Sequence, residues 1–262
     1  MCGLAGVAGH GILGFHLDAF QELLYLTALR GRDSTGVYAV RSRYDNAPSI
    51  LKKNIDEAND FLKDYAGRHG FLNDMSWDVM MGHCRWATVG KITAKNAHPF
   101  DVGPLVGAHN GTLTDKMFLS PNKTDSEMMF ERMASVGVKE TLEGLSWWDA
   151  YAVSIWLKEE RRLILARNTS RPLFTAICKN SDVMFWASEA EALFMISHRH
   201  KMPVSVFKME PNNIYEIDPA EIKAGSDAPW KMTSVEPKVE YTKIINTSGT
   251  ADMDGVPWGN AL

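Results

Sequence analysis

The sequence predicts an α+β fold in which mostly antiparallel sheets carry helices on their outer faces. Two observations lead there. Short apolar segments of strand length outnumber segments with helical spacing, and they follow one another in runs instead of alternating strictly with helices. In addition, 262 residues with 45% hydrophobic and 23% charged side chains suffice for one sizeable core. No internal repeat divides the chain into smaller units.

Residues 4–7 are apolar, with glycines at 3, 6, 9, 11 and 14 in and around them, and read as a buried strand entering a turn-rich loop. Over 18–29, Phe20, Leu23, Leu24 and Ala28 recur at helical spacing, and Arg30-Gly31 ends the helix. Residues 36–40 read as a strand, 54–65 as a helix, and 79–81 as a short strand running into Gly82-His83-Cys84-Arg85-Trp86. Residues 105–114 predict a hairpin centred on Asn110-Gly111, because Asn-Gly between apolar runs suits a type I′ turn. A helix over 124–136 opens with a capping box of Thr124 and Glu127 and groups Met129, Met133 and Val136 on one face. From 151 the pattern turns to strands, at 151–157, 162–167, 173–179 and 183–187, then a short helix over 188–196 and a late strand at 213–217. Residues 223–262 are dominated by Gly, Pro, Ser, Thr and charge, with Trp230 and Trp258 as their tryptophans. Roughly 40 residues are too few for an independent core, so this stretch reads as an extended tail behind a single domain.

Several functions are excluded early. The formal net charge is −4 and no basic run occurs, so nucleic acid meets no electrostatic footprint. No stretch approaches the roughly 18 apolar residues of a membrane span, and the N-terminus lacks the Lys/Arg-rich start of a secretory signal. Cys2, Cys84 and Cys178 are odd in number and lack metal-ligand spacing, which predicts free thiols in a reducing, cytoplasmic setting and no metal site.

Four segments carry chemistry. Cys2 follows the initiator methionine, so removal of Met1 would place a thiol beside a free α-amine, whose reference pKa of about 7.7–8.0 suits a base at neutral pH. Arg85 can hold a carboxylate with two parallel hydrogen bonds, and Thr88 can add a third. The Asn110 side-chain amide and the Gly111 N–H can form an oxyanion hole. Asp125, in the first helical turn, can meet an ammonium, so that Arg85 and Asp125 together would recognise an amino acid head group. Each residue also admits a plainer role. Cys2 can be an incidental small residue, Arg85 a structural ion pair, and Trp86 a core aromatic. Asn110-Gly111 can be a tight turn, and Asp125 an acid favoured by the helix dipole.

Taken in order, these pieces resemble the class II glutamine amidotransferases of the N-terminal-nucleophile hydrolase superfamily. The matching motifs are Met1-Cys2-Gly3, Arg30-Gly31-Arg32-Asp33-Ser34-Thr35-Gly36, the stretch 82–90, Asn96-Ala97-His98-Pro99, His109-Asn110-Gly111 and Thr124-Asp125-Ser126-Glu127. Weaker echoes lie at 166–173 and 187–192, so the resemblance covers about 2–220. It implies a four-layer α/β/β/α sandwich of two mostly antiparallel sheets, with 2–222 as the amidotransferase domain and 223–262 as its tail. Cys2 would attack the glutamine amide, Asn110 and Gly111 would hold the oxyanion, and Arg85, with Thr88 and the region of His98, would hold the α-carboxylate. Asp125 would hold the α-ammonium. Arg32 and Asp33 would act as scaffold near Cys2, and Cys84 as a packed thiol. No metal or organic cofactor is needed for this half-reaction.

Two positions depart from the phosphosugar-amidating members. Val89 stands where they carry His, and Phe100 stands where they often read His after His-Pro. Family members usually fuse this domain to an ammonia-consuming enzyme, and nothing of that size follows here. The expectation is therefore a separate acceptor synthetase or transferase, with the tail as a docking or covering element or simply packed on its own domain. A homo-oligomer is compatible with this reading. Two alternatives stay open: hydrolysis of another γ-glutamyl or small amide substrate, and a catalytically silent binding or structural module.

Overall fold

The computed structural model describes residues 2–236 apart from 45, 68, 69 and 147. Along the chain run β1 (Gly3–Ala8), α1 (Gly14–Thr27), β2 (Ser34–Val40), β3 (Ser49–Asn54), α2 (Ala58–Tyr65), β4 (Val79–Arg85), β5 (Phe100–Val102) and β6 (Leu105–Thr112). Then follow α3 (Asp125–Val136), α4 (Val138–Glu143), β7 (Ala150–Leu157), β8 (Arg162–Arg167), β9 (Phe174–Cys178), β10 (Met184–Ala187) and α5 (Ala190–Arg199). Three strands complete the described chain: β11 (Val204–Lys208), β12 (Asn213–Ile217) and β13 (Lys231–Ser234). One sheet has the order β11-β9-β10-β1-β4-β2-β3 and the other β13-β12-β8-β7-β6-β5, all neighbours antiparallel.

The side-chain period of two on each strand separates three cores. On β1, Ala5 and Val7 join Phe20, Leu23 and Leu24 of α1 and Phe61 of α2 in one core. Leu4 and Ala8 point the other way, into the core shared by the sheets, with Val106, Ala108, Trp156 and Trp186. On the far side, Val153 and Ile155 of β7 meet Met129, Phe130 and Met133 of α3. The result is the four-layer α/β/β/α sandwich that the sequence led us to expect. Gly6 shows how closely β1 packs: a Cβ there would lie 1.9 Å from the Trp186 ring, so only glycine lets that indole cross the centre of the sheet.

Several boundaries differ from expectation. Residues 105–114 are not a hairpin. β6 runs straight through Asn110 and Gly111, which lie opposite Ala152 and Tyr151, and the eight residues of β7 outweigh the local turn preference. The hairpin turn is Gly103-Pro104, where Val102 pairs with Leu105 and Gly103 takes φ +55°. The expected helix over 54–65 starts later, at Ala58, because Asn54 still ends the edge strand β3. The buried face of α3 is Met129, Phe130 and Met133, while Val136 is exposed. Thr124 caps α3 by accepting the Glu127 N–H at 3.1 Å, but Glu127 Oε2 is buried without a partner.

The chain after 222 continues along the second sheet. Trp230 packs edge-on against Phe207 and Tyr215, and β13 pairs with β12. The expected tail beyond 236, with Trp258, lies outside the described residues. Among the described residues no helix is long and apolar enough to cross a membrane.

Candidate active site

The ends of β1, β4 and β6 and the first turn of α3 converge at one end of the sandwich. Cys2 stands just ahead of β1, the central strand of its sheet. The Trp86 N–H donates to Cys2 Sγ at 3.3 Å, and the thiol lies 3.3 Å from the Trp86 carbonyl. The Cys2 carbonyl accepts from Arg30 Nε at 2.8 Å, and Arg30 is ion-paired to Glu189. Burial pushes the thiol pKa up, opposed by the Trp86 N–H and the Arg85 charge, while Asp125 adds to the rise. The thiol therefore waits protonated.

Arg85 is the last residue of β4 and is 4% exposed. Its Nη2 donates to the Val89 carbonyl at 2.5 Å and its Nη1 to that of Lys91 at 3.4 Å, so the following loop curls around the guanidinium. Asp33 braces the start of this loop, taking the Ala87 N–H on Oδ2 at 2.7 Å and donating its own N–H to the Arg85 carbonyl at 2.9 Å. Arg32 lies apart, exposed and near Glu57. Asp125, the first residue of α3, is buried and accepts the Leu113 N–H at 2.9 Å. Cys84 is a fully buried thiol, pushed up to about 12 by desolvation.

Cys2, Arg85, Thr88, His98, Gly111 and Asp125 line one small pocket. Six of the seven residues expected at the site thus meet in a single space. Asn110, the seventh, is buried beside it and donates from Nδ2 to Ser188 Oγ at 3.4 Å.

The Gly111 N–H is aimed by strand alternation. Tyr151 of β7 spends its N–H and C=O on Asn168, at 3.2 and 3.0 Å, on the side away from β6. Its neighbours 150 and 152 therefore face Thr112 and Asn110, and Gly111 turns its N–H to the other edge of β6. His109 does the same, and its N–H reaches His98 Nδ1 at 3.1 Å. β5 has ended by this level, so the Gly111 N–H faces the pocket. A Cβ at Gly111 would lie 1.8 Å from the Ala150 carbonyl and 2.5 Å from His109 Nε2. Gly111→Ala is expected to destabilise the fold by about 1–3 kcal/mol through overpacking and to depress turnover. A thermal melt beside an activity assay checks both.

Three buried histidines, His83, His98 and His109, form one layer, of which His98 and His109 line the pocket. His109 Nε2–H donates to the Ala150 carbonyl at 3.2 Å, and Ser126 Oγ–H donates to His109 Nδ1 at 2.8 Å. His83 Nε2–H donates to the His109 carbonyl at 3.1 Å, and the His83 and His98 rings stack at 4.2 Å. Desolvation lowers the pKa of all three, that of His83 to about 3. They are neutral at pH 7 and serve as fixed hydrogen-bonding spacers. Sequence reasoning named His98 but missed His83, His109 and Ser188. The available signals were His83 and His109 inside the motifs already singled out, and Ser188 in the 187–192 echo. Among the described residues no group of His, Cys, Asp and Glu could hold a metal ion.

No family model matches the chain. Among curated proteins it is 26% identical over 216 residues to glutamine–fructose-6-phosphate aminotransferase (isomerizing) of Gluconobacter oxydans, covering 74% of this chain and 32% of that protein. The protein of the same name from Aquifex aeolicus is 27% identical over 263 residues, with 90% of this chain and 41% of the relative covered. The chain thus spans a third to two fifths of these relatives. Among solved structures, the B. subtilis glutamine phosphoribosylpyrophosphate amidotransferase complexed with ADP and GMP superposes with a TM-score of 0.64 at 20% identity. That match covers 89% of this chain and 49% of the other, and shows a common fold. The ordered motifs, the sandwich and the relatives together place this chain among the class II, N-terminal-nucleophile glutamine amidotransferases.

Proposed function

We propose that the protein hydrolyses glutamine to glutamate and ammonia through a thioester on Cys2 and hands the ammonia to a separate acceptor synthetase or transferase in the cytoplasm. The observation that supports it most is a guanidinium, Arg85, and a carboxylate, Asp125, lining the same pocket as the thiol. In this reading Arg85, with Thr88 and His98, takes the α-carboxylate and Asp125 the α-ammonium, which brings the side-chain amide to Cys2.

Once Met1 is removed, the Cys2 α-amine takes the thiol proton through a water, and sulfur bonds to the amide carbon. The carbonyl oxygen gains the electron pair and is held by Asn110 Nδ2–H and Gly111 N–H. When the tetrahedral species collapses, the C–N bond breaks and the amine proton passes to the leaving nitrogen, giving ammonia. Water, deprotonated by the same α-amine, then cleaves the thioester to glutamate and restores the thiol. Retention of Met1 would leave the amine one residue away from this task. No step calls for a metal or organic cofactor. Residues 2–222 are the amidotransferase domain in this account, and 231–234 extend its second sheet.

A second reading shares the same supporting observation, because γ-glutamyl peptides carry the same head group. The test is release of glutamate and ammonia from glutamine by protein shown by intact mass to begin at Cys2, with a γ-glutamyl dipeptide as competitor. Glutamine turnover that the dipeptide inhibits only weakly is the expected result. Faster cleavage of the dipeptide favours the second reading, and cleavage of neither overturns both.

A further inference from the structure

Cys2 leads into one sheet and Asn110 lies in the other, so something must fix their relative position. The geometry points to Ser188 as a positioning residue that presents the Asn110 amide to the reacting carbonyl. This rests on the glutaminase reading above.

Ser188 follows β10 and is 1% exposed. Its hydroxyl oxygen accepts the Leu4 N–H at 2.9 Å and the Asn110 Nδ2–H at 3.4 Å, which uses both lone pairs. Its own N–H donates to the Leu4 carbonyl at 3.1 Å. One hydroxyl therefore joins the strand that begins one residue after the nucleophile to the amide expected to stabilise the oxyanion. The next residue, Glu189, holds Arg30, which holds the Cys2 carbonyl. With one Nδ2 hydrogen fixed on Ser188, the planar amide of Asn110 has its second hydrogen set in direction. Without that acceptor the buried amide is free to rotate about its last torsion, which is broad for asparagine. Ser188 does not line the substrate pocket, so its influence reaches the reaction through Asn110.

A role of this kind has a signature that simple scaffolding lacks. Binding of the amino acid head group depends on Arg85 and Asp125, whereas only the tetrahedral species draws on the oxyanion hole. Ser188→Ala is therefore expected to lower kcat for glutamine about 10- to 100-fold with KM nearly unchanged. Glutamate γ-semialdehyde, which adds the Cys2 thiol to form a tetrahedral hemithioacetal, should bind the variant weakly by a similar factor, while glutamate binds as before. Ser188→Thr, which keeps the hydroxyl, should recover most of kcat, and a thermal melt of each variant reports on folding. Equal weakening of semialdehyde and glutamate would overturn the inference, as would unchanged kcat in Ser188→Ala. A wild-type protein that neither turns over glutamine nor binds the semialdehyde would sink the glutaminase reading itself, and this inference with it.

Discussion

Cys2→Ala is expected to reduce glutamate release from glutamine by at least about 10³-fold, the scale seen when a covalent nucleophile is removed, while the fold stays intact. Cys2 as a residue is half-buried and its Sγ meets the Trp86 backbone at 3.3 Å, so little packing is lost. Covalent catalysis is lost entirely, because no other thiol can reach the pocket: Cys84 is buried on the α1 side and Cys178 lies in the same core. Cys2→Ser keeps the geometry but substitutes a weaker nucleophile and should fall between the two. Burial raises the Cys2 pKa, so the proposed reaction relies on the α-amine to take the thiol proton. The rate of the wild-type protein should climb with pH as the α-amine, with its reference near 7.7–8.0, becomes a free base. Initial rates between pH 6 and 9 check this. A flat profile, or activity retained in Cys2→Ala, would remove Cys2 from the chemistry.

Acid sensitivity is the second large effect. His16, His83, His98 and His109 are buried with lowered pKa values, His16 at about 4 and His83 at about 3. His16 is neutral by construction of its bonds, since Nδ1 accepts the Leu13 N–H at 2.9 Å and Nε2 meets Ser181 Oγ at 3.0 Å. In the unfolded chain each ring returns to about 6.5. Between that value and the folded one, the unfolded state binds more protons, so stability falls as pH falls. Each histidine can contribute up to about 1.4 kcal/mol per pH unit within its window. The loss should begin near pH 6.5 and steepen towards pH 4, where His16 becomes protonated in both states. Urea midpoints at pH 7.5, 6.5, 5.5 and 4.5 measure it. A midpoint that stays level down to pH 5 would show that the histidines are not held neutral.

Much of the fold was legible where the local pattern and the tertiary demand agree. Residues 162–167 and 213–217 form strands with the expected bounds. β3, β5, β11 and β13 were missed because edge strands need pairing only on one side and show little apolar period, as the exposed β13 illustrates. The Asn110-Gly111 turn misled for the opposite reason. A strong local signal yielded to a long partner strand, and the glycine is required by the Ala150 carbonyl and the His109 ring instead of by a turn. At the site, charged and nucleophilic residues could be read from motifs because their chemistry is specific. The role of Ser188 could not, since a hydroxyl 78 residues from Asn110 gains meaning only when β10 and β6 are brought together.

The position of β1 changes what the beginning of this chain is. Most protein termini fray into solvent and can be tagged, trimmed or lengthened without penalty. Here Leu4, Ala5, Val7 and Ala8 have no exposed surface, and the strand is bonded on both sides, to β4 and β10. An extra segment fused ahead of Cys2 would be joined directly to a residue that lines the pocket. In the proposed reaction, whatever is joined ahead of Cys2 therefore bears both on the α-amine and on the pocket that Cys2 lines.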